Sequence, residues 1–388
     1  MKKYLKTIIL LVIIIVIALG AFYNKIFIKD TPEGAVALES TATPEATATP
    51  EATESAVASV SPTTPGTPSE SPAAQSTETP MTSEEAEQHV QALLERATAT
   101  PDPNPMVGAD RGTDFDAVTR KAVENAGGLG NIIKEGDTVL IKTNMIMAGR
   151  PEEAVVTDYR VVQSLIDQAI ESGAAKVYVG DGSPWGRVLQ NKMCKYTELK
   201  NCEIVDFNDL KKEDCYQLKP LNPLTNQVYN IPKLYMDVDV VISAAKLKTH
   251  AEAVVTLTLK NAFGIPPIGS AGLGVGKTYL HTNGIPKSIV DLNLIRKPEF
   301  AVIDGIIGGE GRGPLRPDPV DSQVVFASTD PVACDTVGLT FMGFQVSDVP
   351  HVELAAEHGL GIDDLSEINV AGVNLDEIKM SFKRALGY

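Results

Sequence analysis

DVDVVISAAKLKTHAEAVVTLTLKNAFG, residues Asp237 to Gly264, decides how this chain is read. Val238 to Ala244 is an apolar run, too short for a helix and of the length of a buried strand. Lys246, Lys248 and His250 follow at once, alternating with Leu247 and Thr249. If the strand continues, its period of two sends all three basic side chains to one face. A second apolar stretch, Ala251 to Leu259, then leads through Lys260 and Asn261 to Gly264. Three lysines and a histidine around the carboxyl end of a buried strand are costly without an anionic partner. In open α/β sheets that end of the strand is where ligands bind. The competing account makes the lysines surface residues at a strand end and the histidine a cap for the next helix.

Outward from this stretch, strand and helix patterns alternate from about Thr113. Strands are predicted at Thr138 to Lys142, Lys176 to Gly180, Glu203 to Phe207, Phe300 to Ile303 and Val324 to Ala327. Asp158 to Ser172 is amphipathic and stops at Gly173. Further helices are expected at Pro184 to Met193, Ala251 to Phe263, Pro286 to Ile295 and Pro331 to Met342, with edge strands at Val228 to Ile231 and Ile368 to Ala371. Strands alternating with helices of this length indicate an α/β fold, a mostly parallel sheet with flanking helices.

The first quarter of the chain is of another kind. Three lysines in Met1 to Lys6 precede Ile8 to Tyr23, an apolar run of about 16 residues, near the short limit for a membrane span. With Lys25 and Lys29 beyond it, residues 1–29 read as a transmembrane anchor with the amino terminus cytoplasmic and the remainder extracytoplasmic. A cleaved signal and a secreted product is the alternative. Residues 30–80, built from Thr, Pro, Ala, Ser and Glu, have little to bury and read as a disordered stalk. Residues 81–105 read as a short helix and linker, Ser83 to Ala97 being amphipathic, and 106–388 as the α/β domain.

The formal charge of −16 argues against nucleic acid as a partner. It also makes local basic clusters stand out. The four cysteines show no metal-ligand spacing; one disulfide among Cys194, Cys202 and Cys215 is open, and Cys334 reads as a buried small hydrophobe. SAGLGVGKT, Ser270 to Thr278, approaches a phosphate-binding loop, but Ala271 stands where the pattern needs glycine and neither flank fits. It reads as a flexible glycine loop with Lys277 and His281 at its exit. Asp330 before Pro331 is the pattern of a helix N-cap. Arg312 reads as a salt-bridge partner for Glu310.

KLKTH at Lys246 to His250, LKNAFG at Leu259 to Gly264, a later histidine before a helix, DGIIGGEGRGP from Asp304 and DPVACD from Asp330 stand in one order. With KTN at Lys142 to Asn144 and GDG at Gly180 to Gly182, they resemble the prokaryotic family catalogued as domain of unknown function 362, over about Lys134 to Gly372. The resemblance implies a fold and a set of positions more than a reaction. Lys277 and His281 match that family's later basic and histidine positions. Some members carry ferredoxin-like cysteine runs; this chain has none, so no iron–sulfur cluster is expected.

Taken together, Lys142, Asn144, Lys246, Lys248, His250, Lys260 and His281 form a basic set. Asp181, Asp304, Glu310 and Asp335 form an acidic one. Such a set at strand ends can clamp a phosphate or carboxylate with lysines while histidine moves a proton. Carboxylates and histidine could instead hold a divalent ion, though no HxxxH or DxD spacing supports it. The expected chemistry rests on His250, His281, Lys248 and Asp181. Lys142, Asn144, Lys246, Lys260, Asn261, Glu310, Asp304 and Asp335 are expected to hold the ligand. The function this points to is an enzyme acting on a small anionic substrate, with a non-catalytic module that captures an anionic ligand or cofactor as the alternative.

Overall fold

Period-two alternation splits each central strand between two apolar layers. In β7 (Val240–His250), Val241 and Leu247 join one layer, and Val240, Ile242 and Ala244 join the other. The same division runs through β2 (Thr138–Thr143), β3 (Lys176–Asp181), β9 (Phe300–Glu310) and β10 (Asp318–Ser328). Helices α1 (Phe115–Asn125) and α2 (Tyr159–Glu171) pack Val118, Ala122, Val161 and Leu165 into the second layer. Helices α3 (Ile285–Ile295), α4 (Pro331–Phe341) and α5 (Pro350–Glu357) cover the first with Ile289, Leu292, Val337 and Val352. The result is a sheet buried on both faces, which is why its strands read as apolar runs.

The computed structural model describes residues 100–386, apart from 187 and 269–276, together with helical positions 88, 90–92 and 94–95. All of these fall in the unit Thr77–Tyr388. The remaining strands are β1 (Met106–Arg111), β4 (Glu203–Asp206), β5 (Cys215–Leu218), β6 (Tyr229–Pro232), β8 (Val254–Thr256) and β11 (Asn369–Ala371). The main sheet runs β11-β1-β10-β9-β7-β2-β3-β4, with β8 added on β7, while β5 and β6 form a separate ribbon. Pairing is parallel from β9 through β7, β2 and β3 to β4, and antiparallel where β10 meets β9 and β1. The mostly parallel α/β sheet with flanking helices is therefore present.

Several local expectations are corrected. Ala251 to Phe263 forms no α-helix: the β-branched run Val254, Val255, Thr256 folds back on β7 as β8, and a 3-10 turn follows at Lys260–Gly264. The Asp335 carboxylate accepts from Thr258 N–H at 2.7 Å and Leu259 N–H at 3.0 Å, bonds that take those amides out of any helical ladder. Pro184 to Met193 is a turn followed by a short 3-10 segment, because Pro184 and Gly186 interrupt it. Strands β9 and β10 run several residues past the expected ends, so Gly308 to Glu310 is strand rather than loop. Val228 to Ile231 pairs outside the main sheet, as β6. The α2 reading is met, with Asp158 capping through Arg160 N–H at 3.0 Å.

Leu94 is buried and joins the same apolar cluster as Val107 and Phe326, with Val90 packed against it. Among the described residues no helix is long and apolar enough to cross a membrane. The apolar stretch 8–23 and the stalk 30–80 lie outside the described residues, as does the glycine loop 269–276. The four cysteines are free.

Candidate functional site

After β2 the chain adds β3 and β4 on one side, then returns to lay β7 and β9 on the other. The reversal opens a crevice at the carboxyl ends of β2 and β7, the place where doubly wound sheets bind ligands. A cavity of about 450 Å³ lies there. Asn144 just past β2, Asp181 at the end of β3 and His250 at the end of β7 line it, with Lys260, Asn261, Lys277 and His281 from the segments that follow.

Asp181 lines the cavity, and Lys142 pairs with it from behind. Both are buried, with Lys142 Nζ 3.1 Å from Asp181 Oδ1. Lys142 Nζ also donates to Thr143 O at 2.6 Å and Asn261 Oδ1 at 3.1 Å. Burial pushes the lysine pKa down against the pull of Asp181. Asp181 accepts from Met145 N–H and Gly182 N–H, each at 2.6 Å, so its carboxylate holds two loop entrances as well as a cation. The chain at Gly264 passes so close that a methyl group there would collide with both Asp181 Oδ1 and Lys142 Nζ. That close approach is what the glycine of LKNAFG supplies.

His250 Nδ1 accepts from the N–H groups of Glu252 at 3.0 Å and Ala253 at 3.2 Å. Burial, then the nearby Lys260 and Lys248, drive its pKa far below the usual histidine value. The ring is therefore neutral, and with Nδ1 committed as acceptor its proton resides on Nε2. His250 is thus a fixed N–H donor at the cavity wall.

Lys260 is buried and its Nζ lies 4.0 Å from the Phe263 ring centroid. Among the described residues no side chain or carbonyl accepts a hydrogen bond from it. Burial lowers its pKa to about 8. Lys277 Nζ donates to Gly182 O and to Phe263 O, the second at 2.7 Å, and burial brings its pKa to about 7. Two N–H groups make those bonds, so the neutral amine keeps its lone pair and the ammonium keeps one donor. His281, exposed at the cavity edge, packs edge-on against Phe263 and sets Nε2 3.4 Å from Glu252 Oε2. Asn144 Oδ1 is buried without a hydrogen-bond partner among the described residues.

Other expected members lie elsewhere, and strand parity accounts for two of them. Lys246 and Lys248 share the face of Val240 and Ile242, whereas Lys142 shares the opposite face with Leu140. Lys246 Nζ pairs with Asp304 Oδ2 at 2.8 Å, both fully buried, and the same oxygen accepts from Asp158 N–H at 2.7 Å. Lys248 Nζ donates to Val155 O, and burial holds its pKa far down. Neither lysine lines the cavity, nor does Asp304. Glu310 binds the C-terminal tail, accepting from Lys383 N–H at 2.8 Å and meeting Lys383 Nζ at 2.7 Å. Arg312 pairs with Asp318 rather than with Glu310. Asp335, its pKa raised to about 7 by burial, is the anchor of the Thr258–Leu259 turn. Asp330 caps α4 through Val332 and Ala333 N–H at 2.9 Å, as its sequence pattern predicts.

The sequence reading passed over Met145, Ile146, Trp185, Glu252, Phe263, Pro314 and Leu315, which also line the cavity. The one tryptophan of the chain, in GDGSPWG just past a strand end, was the available signal. Among the described residues no cluster of three or more His, Cys, Asp or Glu side chains is placed to hold a metal ion.

A relative described as the thylakoid-associated protein sll1697, from Synechocystis sp. (strain ATCC 27184 / PCC 6803 / Kazusa), is 30% identical over 258 residues. The alignment covers 64% of this chain and 75% of that protein. A crystal structure of a protein from Thermotoga maritima matches at 12% identity and a TM-score of 0.38, covering 64% of this chain and 60% of that one. The family model described as domain of unknown function (DUF362) matches residues 139–340, just over half of the sequence. The chain belongs to the DUF362 family.

Proposed function

We propose that the domain is an enzyme acting on a small phosphate- or carboxylate-bearing substrate bound in this cavity. Lys260 carries the reading: a buried cation facing a cavity, stabilised by a ring face and by no hydrogen-bond acceptor among the described residues. Glu252 pulls on this cation only through space, so an anion there supplies the counter-charge in direct contact that Lys260 lacks, and desolvation strengthens the pairing. His250 Nε2–H adds a neutral donor that needs no reorganisation. Lys277, with a pKa near neutrality, accepts or returns a proton while its two carbonyl bonds hold it in place. His281 beside Glu252 gives a second proton-transfer group.

The non-catalytic capture module is the second reading. It is favoured by the same two carbonyl bonds, which give Lys277 a structural task of its own. The apolar run 8–23 and its lysine flanks support a membrane tether with the domain extracytoplasmic, and the relative's thylakoid association agrees with a place at a membrane.

Sulfate keeps its charge across the working range and serves as the probe. Binding to the full chain should be strongest below pH 7, where Lys260 and Lys277 are both protonated. Above about pH 8 it should weaken by at least about tenfold per unit, since each bound anion must then bring one proton for Lys260 and a second where it also meets charged Lys277. Calorimetry at about pH 6.5 and about pH 9 measures this. Affinity independent of pH across the two would remove the lysines from the site.

A further inference from the structure

The cavity is larger than an anion alone requires. It encloses about 450 Å³, whereas a phosphate group fills on the order of 100 Å³, taking about 30 Å³ for each water-sized volume. The cationic groups Lys260 and Lys277 are buried, and toward the solvent the lining divides into a polar side, with Glu252, Thr278 and His281 exposed, and an apolar side. Trp185 is 61% exposed and Leu315 37%, and both line the cavity with Pro184, Pro314, Met145 and Ile146. An exposed tryptophan at a pocket mouth offers apolar surface to a ligand.

This tryptophan is held by its turn. Its backbone N–H donates to Ser183 Oγ at 3.1 Å, and Ser183 Oγ donates to Ile146 O at 2.5 Å. The Asn208 amide donates to Ser183 O at 2.9 Å and to Gly186 O at 3.1 Å, tying both ends of the turn to one side chain. Asn208 Oδ1 accepts from Ile268 N–H at 2.8 Å, which joins the same turn to the segment after Gly264. The backbone of the turn that carries Trp185 is thus tied to the segment after Gly264, so the ordering left for a ligand lies in the side chains of the rim.

We infer that the ligand is amphiphilic: a phosphate or carboxylate head at Lys260 and His250, joined to an apolar or aromatic body lying against Trp185 and Leu315. The inference rests on the anion site proposed above. A small polar metabolite leaves the rim wet, and an uncharged apolar molecule leaves Lys260 unpaired.

The test is an affinity series on the full chain: inorganic phosphate, ethyl phosphate, hexyl phosphate and hexanol, by calorimetry and by tryptophan emission. The chain has a single tryptophan, so emission reports on the rim alone. Each methylene that the rim covers should tighten binding by up to about fourfold. Hexyl phosphate should therefore bind at least about tenfold more tightly than inorganic phosphate, with a blue shift in emission. Equal affinities for the two phosphates would overturn the amphiphile and leave the anion site standing. Failure of both to bind, or hexanol binding as tightly as hexyl phosphate, would overturn both readings. Trp185→Ser should lose at least about threefold of the hexyl phosphate affinity by calorimetry; no loss would overturn the placement of the body. Vesicles carrying phosphatidic acid should displace hexyl phosphate if the head belongs to a bilayer lipid. Without displacement the head belongs to a free molecule, and the shared chemistry stands in either case.

Discussion

Replacing Lys260 by methionine should make the protein more stable, and by an amount that depends on pH. Burial lowers the Lys260 pKa from 10.5 to about 8. The unfolded chain therefore holds this proton more tightly than the folded one, and stability is reduced by the full difference below pH 8. At 1.36 kcal/mol per unit, that is on the order of 3 kcal/mol. Against it stands the contact with the Phe263 ring at 4.0 Å, about 0.5–2 kcal/mol for a desolvated cation. Methionine keeps the length and apolar contact of the lysine stem, so the net gain should be about 1–3 kcal/mol at about pH 6. As pH rises from 8 toward 10.5 the wild-type penalty is relieved, and the two proteins should converge. Urea denaturation followed by circular dichroism, at about pH 6 and about pH 10.5, reads both ends. A Lys260→Met protein less stable than wild type at the acidic end would show that the domain already supplies a counter-charge. A gain that persists unchanged at the alkaline end would show that charge is not its origin.

Asp181→Asn leaves Lys142 buried without its carboxylate and should cost about 3–5 kcal/mol. Adding Lys142→Met should recover much of that loss, and simple additivity of the two changes in denaturant midpoint would contradict a coupled pair. Because Leu94 sits in the domain core, a chain starting at Met106 should be about 1.5–3 kcal/mol less stable than one starting at Met81. Equal midpoints would return the segment 81–105 to the linker.

The fold was legible wherever periodicity had one interpretation. The α2 stretch carries an amphipathic face, a capping Asp158 and a stopping Gly173, and each feature agrees with the others. Ala251 to Phe263 was misread because a short apolar run does not distinguish a strand and turn from a helix. What decided it was the carboxylate of Asp335, some seventy positions away. The site was legible in part for a similar reason. KLKTH did form one strand with its basic residues on one face, but which face each strand turns toward its neighbour is set by register. Lys142 on β2 emerges opposite to Lys246 and Lys248 on β7 although Lys142 and Ser243 stand side by side. Trp185 depended on a turn tied by Asn208, a contact no local pattern announces.

The five buried lysines among the described residues separate architecture from site by what each one faces. Lys142 and Lys246 meet Asp181 and Asp304, and those carboxylates are themselves bonded to backbone N–H groups of Met145 and Asp158. A pair so embedded fixes loop entrances, and losing either partner strands a buried charge. Lys248 and Lys277 donate hydrogen bonds to backbone carbonyls, which orient the amine without neutralising it. Lys260 rests on an aromatic face, with Glu252 acting on it only at a distance. Stability increases along this series in the direction of the carboxylate pairs, whereas readiness to meet an external anion increases in the opposite direction. The cavity lies at the second end: Lys260 and Lys277 line it, and Lys142, Lys246 and Lys248 do not. A chain selected for stability alone would have no reason to leave a buried cation without a directly bonded acceptor at the switch point of the sheet, which is why Lys260 rather than the KLKTH lysines is the residue on which the functional reading turns.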